Sequence, residues 1–195
     1  MLLRLTSLFF LSFLLIAQPA SAQLFGGGKD KDDKKRADIM EMHDEVLSAL
    51  YKEEDDAKDL IDDSYGYAVF SNVGVNVVFL SAGGGKGVAV NRKTGKKTYM
   101  KMGSAGVGIG LGVKDFRAVM IFHSEKAFTS FVDKGWDFSG QADAAAKGGD
   151  KGGEMSGAVD VGDGVTVYQM TKNGLALQAT LQGTKYWKDG DLNGD

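Results

Sequence analysis

Between Ser64 and Lys114 lie 51 residues with no Asp or Glu and seven cations: Lys86, Arg92, Lys93, Lys96, Lys97, Lys101 and Lys114. A basic stretch with no local carboxylate to neutralise it can attract anions, phosphate groups above all. Four of the seven cluster in Arg92-Lys93-Thr94-Gly95-Lys96-Lys97, which reads as a hairpin tip. Two readings of this tip stay open. It is a contact for anionic head groups, or its charges keep the turn soluble and the strand edges unpaired.

Arg4 is the only charged residue in the first 22, so without them 23 Lys and Arg fall to 22 against 26 Asp and Glu. The net charge moves from −3 to −4; the basic segment carries +7 and the remainder therefore −11. Such a balance argues against a nucleic-acid binder and directs attention to the local patch.

Other chemistries fail on spacing. There is no Cys, hence no thiolate nucleophile, no disulfide and no Cys-ligated metal. Gly103–Gly112 contains G-x-G steps but no full G-x-G-x-x-G leading into a helix, and Gly83-Gly84-Gly85-Lys86 is followed by Gly87 where a phosphate-binding loop needs Ser or Thr. Gly103-Ser104-Ala105-Gly106 is not a nucleophile elbow. His43 and His123 stand in no triad or metal spacing, so no catalytic residue, metal or cofactor is expected. Asp189-Gly190-Asp191-Leu192-Asn193-Gly194-Asp195 copies the opening of a calcium loop but lacks the bidentate acid at its twelfth position. A solvated, disordered tail over 189–195 is expected.

The elements that would hold the patch follow from periodicity. Leu8–Ala17 is apolar and about ten residues long, too short for a spanning helix, and Ala20-Ser21-Ala22 is a small-x-small cleavage site. Residues 1–22 are therefore expected to be a signal peptide and the protein to be exported, periplasmic or secreted. Residues 23–36, with Gly26-Gly27-Gly28 and a mixed-charge run, read as a flexible linker. Ile39, Met42, Val46, Ala49, Leu50, Ala57, Leu60 and Ile61 follow helical spacing within an acidic background, one or two amphipathic helices over 37–63. Thereafter period two takes over. Strands are predicted at 67–73, 75–81, 86–91, 97–102, 105–113, 117–122, 136–141, 155–161, 165–171 and 175–181. Ser124 caps a short helix over 124–132, and 144–153 reads as an exposed loop.

Gly is unusually frequent, at 28 residues, and Pro nearly absent, at one. From Gly106 to Gly112 every second residue is Gly, so one face of that predicted strand is bare backbone. Either the sheet interior needs room for large side chains, or a ligand approaches the backbone there. The fold class is α+β: a mostly antiparallel, strongly curved or barrel-like sheet, since the connections are too short for parallel crossovers.

Taken in order, Gly66-Tyr67-Ala68-Val69-Phe70, Gly85-Lys86-Gly87-Val88-Ala89-Val90, the alternating-Gly strand, Asp115–Phe122, Val167-Tyr168, Asn173-Gly174-Leu175 and Gly183 resemble SYLF domains, the lipid-binding and yeast actin-patch type of actin-binding domain. The resemblance spans 37–188 as one domain. It implies phospholipid binding without catalysis, and actin binding in fungal members, which an export signal disfavours here. This chain departs from the family's late-strand motif at Asn173–Gln178 and Gln182-Gly183, and its N-terminal helix is acidic where eukaryotic members insert an amphipathic segment. The expectation is an exported protein that binds anionic phospholipid through Lys86, Arg92, Lys93, Lys96, Lys97 and Lys101. A non-catalytic envelope module with a protein partner is the alternative.

Overall fold

The computed structural model describes residues 27–72, 84–104, 117–137, 158–162, 164–171, 174–175 and 184–194. The leader, the alternating-Gly stretch and the 144–153 loop of the sequence reading lie outside them, as do the strands predicted at 75–81 and 105–113.

A long helix α1 (Gly27–Glu53) and a short α2 (Ala57–Asp63) precede β1 (Gly66–Ser71), β2 (Gly84–Asn91), β3 (Lys97–Ser104) and β4 (Arg117–Phe122). Helix α3 (Glu125–Lys134) follows, then β5 (Trp136–Asp137), β6 (Ala158–Asp160), β7 (Val165–Thr171), β8 (Gly174–Leu175), β9 (Thr184–Lys188) and a one-turn helix α4 (Gly190–Asn193). The strands run in the order β5-β9-β3-β2-β1-β4-β7-β6, with β8 also on β7. Every pairing among the described residues is antiparallel. The sheet is strongly curled into a half-barrel, as the α+β reading expects.

Both faces of the sheet are covered, which explains why all six residues of β1 are buried. On one face Val69, Val88, Val119, Ile121 and Tyr168 pack beneath Ile39, Val46 and Leu50 of α1 and Ile61 of α2. On the other, Phe70, Met100, Met102, Met120, Phe122 and Tyr186 meet Phe128 and Phe131 of α3. Ring centroids there lie 4.6 Å (Phe70–Tyr186) and 4.8 Å (Phe122–Phe131) apart. This layer is what Gly66, Gly85 and Gly87 make room for. A Cβ on Gly85 would sit 2.6 Å from Cε of Met102, and one on Gly87 would overlap the Phe70 ring.

Helix α3 forms where its signals lie. The Ser124 hydroxyl accepts the Ala127 N–H at 3.2 Å, Phe128 and Phe131 are buried, and Gly135 ends the helix at φ +72°.

Two expectations need correction. Residues 27–36 are not a flexible linker but the first turns of α1. Between Lys29 and Glu53 there is no Gly or Pro to break the helix, and Lys35–Asp32 and Arg36–Asp33 pair at 2.7 Å each across one turn. The segment has no apolar periodicity because it propagates outward from the packed part of the helix that begins at Ile39. Nor is 189–194 disordered. Asp189 caps α4 through Leu192 N–H (3.3 Å), Leu192 is buried, and the Asn193 side chain docks on the backbone of Tyr99.

Candidate functional site

The β2–β3 hairpin carries all six cations of the sequence reading and distributes them along its length. At its tip, Asn91 Oδ1 accepts the N–H groups of Lys93 (2.9 Å) and Thr94 (3.0 Å), and Gly95 takes φ +70°. This fixes a tight turn from which Arg92, Lys93, Lys96 and Lys97 are exposed.

Their charges are not equally available. Arg92 donates to Asp62 Oδ1 of α2 at 2.8 Å, and Asp62 also accepts from Lys58 at 2.7 Å; chiefly through that Lys58 hydrogen bond, the Asp62 carboxyl is held below its usual range. Lys93 places its ammonium 4.8 Å from the centroid of the Tyr65 ring. Lys96 and Lys97 make no ion pair among the described residues and present their charge to solvent.

Lys86 and Lys101 stand away from the tip. Lys86 is six residues before Arg92, roughly 20 Å along an extended strand. The register pairs Lys86 with Lys101, so these two half-buried cations sit directly opposite each other on the α1-facing side of the sheet. Lys101 is balanced by Asp189 (3.0 Å) and Asp191 (3.6 Å). The structure thus gathers the tip cations into one cluster and places Lys86 and Lys101 in a second.

Side chains that sequence reasoning passed over complete the second cluster. The register continues from Lys101 to Trp187 on β9, and from Lys86 through Ser71 to Arg117 on β4. Arg117 fell outside the acid-free stretch, and Thr184–Lys188, a strand in its own right, is not among the strands predicted from periodicity. The alternation Thr-Lys-Tyr-Trp-Lys was the signal for it: Tyr186 is 2% exposed and Trp187 43%.

The histidines serve packing. His43, on α1 and buried, has Nδ1 2.7 Å from Asp44 Oδ1 and Nε2 3.0 Å from the Tyr67 hydroxyl. With Nδ1–H donated to the carboxylate, Nε2 accepts from Tyr67, and the trio pins α1 to β1. Burial raises the Tyr67 phenol to about 12, so it remains a neutral donor. His123 joins β4 to β7 through Thr166 at 2.9 Å. A cleft of about 200 Å³ beside α3 is walled by Phe122, Phe131, Trp136 and Val165 with Ser124 and Ser130 at its rim, and Ser124 is already engaged as the helix cap. No group of three or more potential metal ligands occurs among the described residues.

Residues 103–195 match the family model Ysc84, described as Las17-binding protein actin regulator. Beta cell expansion factor A of Aeromonas veronii is 40% identical over 157 residues, covering 80% of this chain and 58% of that protein. The chain thus spans little more than half the length of this curated relative. The family is associated with lipid binding and with actin-binding partners, and is generally non-catalytic. The motif-bearing strands β1, β2, β4 and β7 assemble side by side in one curled sheet, and residues 103–195 of the chain carry the match to the Ysc84-type, or SYLF, domain.

Proposed function

We propose that this is an exported protein that associates reversibly with anionic phospholipid, with the tip of the β2–β3 hairpin as its electrostatic contact. The observation that carries the reading is the exposure of Lys96 and Lys97 on a rigid turn, beside Arg92 and Lys93, in a family associated with lipid binding. Each Lys or Arg near an anionic surface contributes about 1 kcal/mol, and screening over a Debye length of about 8 Å makes such binding salt-sensitive.

The protein is expected to sediment with vesicles containing phosphatidylglycerol, weakly with phosphatidylcholine alone, and less as salt rises. Charge reversal of Lys93, Lys96 and Lys97 to Glu should abolish sedimentation. Unchanged sedimentation would sink the hairpin as the contact. Failure of the parent chain to sediment, with stoichiometric capture of one protein partner, would favour the non-catalytic interaction module instead.

Export rests on the apolar run Leu8–Ala17 followed by Ala20-Ser21-Ala22. A bacterial relative named for an effect on beta cells fits a protein acting outside its own cell. Intact mass of the protein recovered from a periplasmic or culture fraction is expected to place the first residue at Gln23. A chain retaining Met1 in that fraction would count against cleavage.

A further inference from the structure

We infer that Trp187 is a bilayer anchor, an indole that enters the head-group region of an anionic membrane beside the Lys86–Lys101 pair. This deepens the lipid-binding reading above and rests on it, but assigns the apolar part of the contact to β9, not to the hairpin tip.

Trp187 is 43% exposed, the one large hydrophobic so exposed among the described residues. Single exposed apolar side chains are common and need no explanation alone. This one has a built setting. Its diagonal neighbour on β3 is Gly103, and a Cβ there would lie 3.0 Å from Cη2 of the indole, so that edge of the ring rests over bare backbone. The indole is therefore held in place while keeping an open edge, which reduces the ordering cost of inserting it.

The surroundings select the occupant. The register sets Trp187, Lys101 and Lys86 in a row on one face, in steps of about 5 Å. Lys97 lies on the same face four residues along β3, between this row and the hairpin tip. Like charges directly opposite each other on neighbouring strands are unfavourable. Asp189 and Asp191 offset Lys101, whereas Lys86 makes no ion pair among the described residues. An amphipathic ring next to an under-compensated cation matches the bilayer interface, where Trp settles at head-group level and Lys stems lie along apolar surface with their charge on phosphate.

The chain has two Trp, so Trp136→Phe makes Trp187 the sole indole reporter. In the full chain carrying W136F, anionic phosphatidylglycerol vesicles are expected to shift Trp187 emission to the blue. Bromine on the upper acyl chain should quench it. W187A, with Trp136 retained, should weaken vesicle partition about tenfold, and W187F should recover part of that loss, because burying about 50 Å² of apolar surface is at stake. Sedimentation with unchanged, unquenched Trp187 emission would overturn the anchor while leaving the hairpin contact standing. No sedimentation of the parent chain would overturn both readings. A blue shift that follows protein concentration without lipid would overturn the anchor in favour of a protein contact.

Discussion

Replacing Gly87 by alanine is expected to destabilise the protein by about 3 kcal/mol, enough to lower the melting temperature by about 10 °C. The new Cβ would overlap the Phe70 ring and come within 2.5 Å of the Val69 carbonyl oxygen. The ring cannot step aside, since Phe70 is fully buried and packed against Tyr186 at 4.6 Å and Phe131 at 6.1 Å. The carbonyl cannot move either, because it belongs to β1 at the centre of the sheet. Truncating the ring should relieve only part of the conflict. The double variant F70A/G87A should therefore lose less than the sum of its two singles, a coupling that urea unfolding of all four proteins would measure. Gly28 supplies the control. Nothing lies within 4 Å of its notional Cβ, and it sits in the first turn of α1, so Gly28→Ala should be neutral or stabilise by up to about 1 kcal/mol. Equal effects at the two positions would refute the view that β2 is glycine-rich to make room for the aromatic layer.

That contrast shows how far the chain was readable before its fold was known. Period-two apolarity located β1, β2, β3, β4 and β7, and Ser124 with Phe128 and Phe131 marked α3, because these features depend on neighbours close in sequence. The first turns of α1 were opaque because their support is a ladder of charges on a helix anchored elsewhere, and a composition of Lys, Asp and Gly reads locally as coil. Strand β9 was hard to see for another reason: its alternation runs for only five residues, and its place is set by pairing with Met100–Ser104, eighty or more positions away. The candidate site was split for the same reason. All six cations were visible as types, but that Lys86 faces Lys101, and that Trp187 joins them, is a property of register, which no run of residues encodes alone.

Removing residues 189–195 is expected to cost about 3 kcal/mol, an outcome that separates a structural clasp from a frayed terminus. The Asn193 amide behaves as a further rung beside β3. Its Nδ2 donates to the Tyr99 carbonyl at 2.8 Å, and its Oδ1 accepts the Tyr99 N–H at 3.0 Å. Asp189 N–H reaches the same carbonyl at 3.0 Å, and the Leu192 carbonyl accepts from Arg36 Nε of α1 at 3.0 Å. The turn therefore ties β3 to α1, with Leu192 buried between them. Leu192→Ala alone should cost about 2 kcal/mol and Asn193→Ala about 1 kcal/mol, read by urea unfolding. The same contacts employ side chains that the Asp-x-Asp-x-Asn-Gly spacing would offer to calcium. Asp189 Oδ1 is taken by Leu192 N–H and Lys101, and the Asn193 oxygen by Tyr99. A cation at this turn would have to displace Lys101 and open the clasp, so millimolar calcium should leave the melting temperature unchanged. A ligand bound only by the folded state would raise it in proportion to the logarithm of its concentration. Such a rise, or a truncated chain as stable as the parent, would show that residues 189–194 are not the clasp described.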